Sequence, residues 1–177
     1  DVYFGTSSNP PMVSAGQSAS SYDPGTLNFN TKYYWKIVAV DPQGAIKTGP
    51  IWDFTTRGND PPYTPNNPGP KDGATGVYIN AVLNWTGGDP DGDSVKYDVY
   101  FGKNSSPPKV KSNQTSTTYD PPGVLDFDTK YYWQIIAWDQ YNYTSVGPIW
   151  NFTTEKNILP NTPSNPNPID GAIDVDI

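Results

Sequence analysis

The sequence contains neither cysteine nor histidine. Without cysteine there is no disulfide framework, thiolate zinc site or cysteine nucleophile. Without histidine the usual general base, the commonest transition-metal ligand and every Ser-His-Asp arrangement are missing, so no enzymatic activity is expected. Positive charge is scarce as well: 11 Lys and Arg stand against 18 Asp and Glu, giving a net charge of −7 over 177 residues. Such a surface repels nucleic acid and anionic lipid, and neither is expected as a partner. Leu, Ile, Val and Phe are few, a composition bordering on that of disordered chains, but six Trp and thirteen Tyr restore the apolar area. No run approaches the ~20 apolar residues of a membrane span, and no charged and then apolar leader opens the chain. No window carries a helical period with caps.

What the sequence does contain is repetition. Asp1-Val2-Tyr3-Phe4-Gly5 returns as Asp98-Val99-Tyr100-Phe101-Gly102, and Thr31-Lys32-Tyr33-Tyr34-Trp35 as Thr129-Lys130-Tyr131-Tyr132-Trp133. Gly49-Pro50-Ile51-Trp52 returns as Gly147-Pro148-Ile149-Trp150, and the stretch from Thr162 to Ile177 repeats that from Thr64 to Ile79. The expected organisation is therefore the C-terminal part of one repeat at 1–57, a linker at 58–63, a complete repeat at 64–155, a linker at 156–161 and the N-terminal part of a third repeat at 162–177. The chain reads as a window on a longer tandem array.

Each copy reads as short strands. Val95, Tyr97, Val99 and Phe101 alternate with Lys96, Asp98 and Tyr100, and Tyr33, Trp35, Ile37 and Ala39 alternate with Tyr34, Lys36, Val38 and Val40, the period-2 pattern of a half-buried strand. Leu83, Trp85, Trp150 and Phe152 are expected in the core. Asp89-Pro90-Asp91-Gly92, Asp120-Pro121-Pro122-Gly123 and Asp72-Gly73 supply turns. The class is all-β, and many short strands with frequent turn signals in one repeat point to a β-sandwich.

These residues resemble fibronectin type III domains of the prokaryotic surface-protein kind. The resemblance rests on Trp85, on Tyr97 and Val99, on the Leu-x-x-x-Thr-x-Tyr pattern of Leu125, Thr129 and Tyr131, and on Trp133, Ile135 and Ala137. It implies tandem immunoglobulin-like sandwiches, with Tyr131 and Tyr33 as tyrosine corners whose hydroxyls bond to upstream backbone. Phe127 stands where that family usually has proline. Between the copies, Pro61, Pro62, Pro65, Pro68 and Pro70, and again Pro160, Pro163, Pro166 and Pro168, predict stiff extended joints.

One carboxylate cluster is dense: Asp89, Asp91 and Asp93. Alternate carboxylates in a tight turn can converge on a hard cation, and Ca²⁺ takes six to eight oxygens at ~2.3–2.6 Å. The cluster is not an EF-hand, because Gly92 is at the fourth position and Tyr100 at the twelfth. In the resembled topology this loop faces the preceding domain, Asp139 lies at the same pole and the linker around Asp60 is within reach, so calcium on Asp89, Asp91, Asp93 and Asp139 would lock the joint. A plain turn with solvated carboxylates is the alternative.

Five Asn-x-Ser/Thr acceptors, Asn84, Asn104, Asn113, Asn142 and Asn151, are candidate N-glycosylation sites. Trp138, Tyr141 and Tyr143 form an aromatic group near a loop, suited to stacking on a sugar or to padding a contact between domains. The expected function is an extracellular structural repeat protein, archaeal or bacterial, in a cell-surface fibre, stalk or surface layer and contacting copies of itself. The alternative is a carbohydrate-binding or adhesion module whose partners are surface glycans.

Overall fold

The computed structural model describes residues 1–173, and the last four residues of the expected third copy, 174–177, lie outside the described residues. The described residues contain fourteen strands and no helix, hence no helix long and apolar enough to cross a membrane. In the first copy β1 (Val2–Gly5), β2 (Met12–Ser14), β3 (Lys32–Val40), β4 (Ile46–Thr48) and β5 (Trp52–Thr55) form one antiparallel sheet in the order β2-β1-β3-β4, with β5 also on β3.

The second copy has two sheets. β9 (Lys96–Gly102), β10 (Lys109–Gln114), β12 (Lys130–Trp138), β14 (Trp150–Thr154) and β7 (Ala74–Val77) run in the order β10-β9-β12-β14-β7, with β13 (Thr144–Val146) on β12. β6 (Asn66–Gly69), β8 (Leu83–Thr86) and β11 (Thr118–Tyr119) form the other, in the order β11-β8-β6. The chain therefore changes sheets between β6 and β7. The change is made at Lys71-Asp72-Gly73, where the Ala74 N–H donates to the Lys71 carbonyl at 3.0 Å and Gly73 takes φ +74°, a value a Cβ would disfavour. β7 then pairs with β14 in parallel, while β6 pairs with β8 antiparallel.

The two sheets close over one core, as expected of a sandwich. Alternation along β12 turns Tyr131, Trp133, Ile135 and Ala137 inward, all buried, and leaves the residues between them only partly covered. Trp133 meets Trp150 at 4.5 Å and Trp85 at 6.4 Å between ring centroids, linking the sheets, and Phe101, Tyr131 and Phe152 stack beneath. Leu83, Trp85, Trp150 and Phe152 lie in this core, as the alternation predicted. The Tyr131 hydroxyl accepts from the Asp126 N–H at 3.1 Å, and Tyr33 accepts from Asn28 at the same distance, so both tyrosine corners form. Asp128 and its counterpart Asn30 both have positive φ, 47° and 48°, the left-handed turn position that Asn and Asp tolerate.

The first copy has the same pattern without the covering sheet. Trp52 and Phe54 are 41% and 40% exposed, against 4% and 0% for Trp150 and Phe152. Along β3 only Tyr33 and Val38 are buried, and Ala39, expected inside, is exposed. An apolar cleft of about 950 Å³ opens beside Val2, Phe4, Tyr22, Trp35, Ile37 and Phe54, on the face that β8 covers in the second copy. The third-copy stretch from 162 to 173 forms no strand. Its turn nevertheless repeats, with Ala172 donating to Ile169 at 2.9 Å and Gly171 at φ +76°, because the turn is local whereas β6 and β7 need β8 and β14 as partners.

One buried charge sits on the outer side of β9. The Asp98 side chain is 6% exposed, accepting from Lys109 Nζ at 2.7 Å and from the Asn113 N–H at 3.0 Å. Burial opposes its charge, but the Lys109 hydrogen bond, the Asn113 N–H and the ammonium charge together hold it below the usual carboxylate range. With the folded-state value below the unfolded one, the stabilisation is present above about pH 4 and is lost as pH falls through the depressed value. We expect Asp98→Asn to cost about 1–2 kcal/mol at neutral pH, most of it the charge-assisted hydrogen bond. Urea unfolding repeated down to acid should show the gap to wild type closing; a constant gap would contradict the assignment.

Candidate functional site

The carboxylate cluster lies in the loop between β8 and β9, closed by a turn in which the Gly92 N–H donates to the Asp89 carbonyl at 3.3 Å. Asp89 Oδ1 accepts from the N–H groups of Asp91 (2.8 Å) and Asp93 (3.4 Å), a local Asx turn that brings the three side chains to one side. One oxygen of each of Asp89, Asp91 and Asp93 falls within 4.8 Å of the others. Burial first, and then the charges of Asp89, Asp91 and Asp139, push the Asp93 carboxyl above its ordinary range.

Asp139 opens the loop between β12 and β13. Its Oδ1 accepts from the N–H groups of Tyr141 and Tyr143, both at 2.8 Å, and its Oδ2 accepts from Asn59 Nδ2 at 2.7 Å. Asp41 in the first copy makes the same turn, accepting from Gln43 and Ala45 at 3.0 and 2.7 Å. The turn is thus a property of the repeat, and the bond to Asn59 is what the second copy adds.

The linker docks between these loops. The Asp60 N–H donates to Asp91 Oδ2 at 2.8 Å, the Tyr63 N–H to the Gly88 carbonyl at 2.9 Å and the Ser145 hydroxyl to the Pro62 carbonyl at 2.5 Å. The Arg57 guanidinium pairs with Asp60 at 3.2 Å and with Asp91, and it lies over the Phe29 ring at 5.7 Å. Phe29 in turn meets Tyr141 edge-on at 5.4 Å and 83° between planes. The first copy therefore touches the second through Phe29 and Tyr141 as well as through the linker.

The remaining predicted residues separate. Tyr141 and Tyr143 stay 49% and 47% exposed, while the Trp138 indole lines a small polar cleft with Asn113 and Asn142. Among the glycosylation candidates, Asn84, Asn104, Asn113 and Asn142 are exposed, whereas Asn151 is partly buried and its Nδ2 donates to Asp72 Oδ1 at 2.8 Å. Sequence reasoning missed Asn59, Arg57 and Gln140, whose Nε2 donates to Asp93 at 2.8 Å. A signal for Asn59 was present, since Asn157 holds the same place in the next linker.

No family model matches the chain, and no curated protein does. Solved structures do. The fibronectin(III)-like modules of Clostridium thermocellum CbhA are 18% identical over 93% of this chain and 82% of theirs, with a TM-score of 0.41. The fibronectin type-III domain of a human fibronectin type III domain containing protein is 21% identical over 56% of this chain and 92% of its own, with a TM-score of 0.40. A Streptomyces avermitilis alpha-L-rhamnosidase complexed with L-rhamnose is 16% identical over 54% of this chain, with a TM-score of 0.40, and the chain spans 10% of it.

Proposed function

We propose that this chain belongs to an extracellular structural repeat protein, in which tandem sandwiches form part of a cell-surface fibre, stalk or surface layer and make their main contacts with neighbouring repeats. The observation that carries this reading is the docked joint. Five consecutive linker residues, Asn59 to Tyr63, include four that bond to two loops and strand β13 of the second copy, through Asp139, Asp91, Gly88 and Ser145. A spacer works by keeping its reach, and reach is kept when each unit sets the direction of the next; a freely jointed chain gives it up to entropy. The Phe29–Tyr141 contact favours this role for the loop aromatics over sugar binding, since it turns one of the two exposed rings toward the neighbouring copy.

The absence of cysteine gives a clean test, because two introduced cysteines can be spin-labelled without background. Ser8 and Ser105 are exposed and hold equivalent places in the two copies. The Ser8→Cys/Ser105→Cys protein should give one narrow distance distribution by pulsed electron resonance, and Phe29→Ala should broaden it. A broad distribution in the otherwise native chain would sink the stiff-joint reading.

A further inference from the structure

We propose that Asp89, Asp91 and Asp93, together with the linker amide of Asn59, form a calcium site that bridges two consecutive repeats. The inference deepens the reading of the chain as a stiff array and rests on the same docked joint.

Seven buried side-chain polar atoms lack a hydrogen-bond partner among the described residues. Three are indole N–H groups, of Trp85, Trp133 and Trp138. The other four are all oxygens and all belong to this joint: Asp89 Oδ2, Asp91 Oδ1, Asp93 Oδ2 and Asn59 Oδ1. Buried acceptors are normally satisfied, so these oxygens mark a need that the protein's own hydrogen-bond donors do not meet, Asp91 Oδ1 facing only the Arg57 guanidinium. The Asp91 side chain is 1% exposed, which also keeps water from serving there.

Each of the four residues has one atom held by a hydrogen bond, and the other is without one; in Asp91 that other oxygen meets only the Arg57 guanidinium. Asp89 Oδ1 is held by the N–H groups of Asp91 and Asp93, Asp91 Oδ2 by the Asp60 N–H, and Asp93 Oδ1 by Gln140 Nε2. Asn59 Nδ2 donates to Asp139 Oδ2 at 2.7 Å and to the Asp60 carbonyl at 3.0 Å, which leaves its carbonyl oxygen as the free atom. Anchoring the far atom of a ligating group by an outer hydrogen bond is how proteins orient metal ligands. Asp139, whose two oxygens are both engaged, thereby acts by orienting Asn59.

The donor set decides the cation. It consists of oxygens alone, three carboxylates and one amide, which suits a hard ion and offers nothing to zinc or copper. One oxygen of each carboxylate lies within 4.8 Å of the others, about twice a Ca²⁺–O bond of ~2.4 Å, so the three residues can share one ion. Ligands divided between one loop and a linker suit the adaptable coordination of calcium better than the strict octahedron of magnesium. Arg57 supplies the positive charge that stands at this place otherwise, lying against Asp91 Oδ1 without hydrogen-bond geometry. It is 60% exposed and can swing into solvent when an ion enters. In the next linker Asn157 repeats Asn59, while Glu155 replaces Arg57.

Titration calorimetry of the full chain with calcium chloride, after chelator treatment, should report one site per chain. Asp91→Asn, which keeps the shape of the turn, and Asn59→Ala, which alters only the linker, should each weaken binding at least tenfold with circular dichroism unchanged. Arg57→Ala should bind as tightly as wild type or tighter. Calcium should raise the melting temperature and magnesium at the same concentration should not. No heat of binding, an unaltered Asn59→Ala, a loss in Arg57→Ala or an equal response to magnesium would each overturn the site as described. The spin-label distances keep this separate from the array reading: calcium binding with broad distances defeats the stiff joint alone, and narrow distances without calcium binding defeat the site alone.

Discussion

Trp133→Ala is expected to lower the stability of the second copy by about 3–5 kcal/mol, the range for deleting a fully buried large aromatic. Trp133 is 0% exposed and lies between Trp85 of one sheet and Trp150 of the other, so its removal opens a cavity at the one place where the sheets meet through three indoles. Against a typical total of about 5–15 kcal/mol, that loss leaves a marginal fold. With a urea slope of about 1–3 kcal/mol/M, the midpoint should fall by well over 1 M, read by the far-ultraviolet signal because the substitution removes a fluorophore. Trp35→Ala, at the equivalent place in the first copy, should cost a small fraction of this, since Trp35 is only partly buried and borders an open cleft. Equal losses at the two positions would mean that a second sheet covers the first copy in solution.

Thr154→Val is the second large effect, and it arises from polarity rather than volume. The Thr154 side chain is enclosed, the residue being 2% exposed, and its hydroxyl accepts from the Thr129 N–H at 2.9 Å and donates to the Asp126 carbonyl at 2.6 Å. Valine fills the same space but leaves a backbone donor and a backbone acceptor without partners, a penalty of about 1–3 kcal/mol for each group that stays buried. We expect a total of about 2–4 kcal/mol by urea unfolding, and recovery of most of it in Thr154→Ser, which keeps the hydroxyl. Thr56→Val should be much milder. Thr56 makes the same two bonds, to Thr31 at 2.9 Å and Asn28 at 2.6 Å, but it is only partly buried, so water can take over its partners. A valine variant at 154 as stable as wild type would show that the bonds from β14 to the turn before β12 contribute little.

Much of the fold was legible because its signals are local. The strand alternation and the tyrosine corners could be read from a few adjacent residues, and the left-handed Asn30 and Asp128 and the Asx turns of Asp41 and Asp139, which the structure adds, are as local and recur in both copies. The Asp89 to Asp93 cluster was legible for the same reason. The part proposed for Asn59 was not, because Asn59 lies thirty residues upstream of Asp89 and meets Asp139 only when the linker docks. Nor does composition tell which oxygen of a carboxylate is left free; that depends on which neighbour's N–H has already engaged the other.

The sequence alone determined the repeat, the strand class and the turn geometry, since backbone sterics and short-range hydrogen bonds act within a few residues. Tertiary structure alone decided burial and the joint. Lys32-Tyr33-Tyr34-Trp35 and Lys130-Tyr131-Tyr132-Trp133 are the same four residues, yet Phe54 and Phe152, paired to those strands at Tyr33 and Tyr131, are 40% and 0% exposed. The difference lies in β8, whose Leu83 and Trp85 cover one face and have no counterpart on the other. Apolar area leaves water only when a second surface arrives to exclude it, and that surface is supplied by residues distant along the chain.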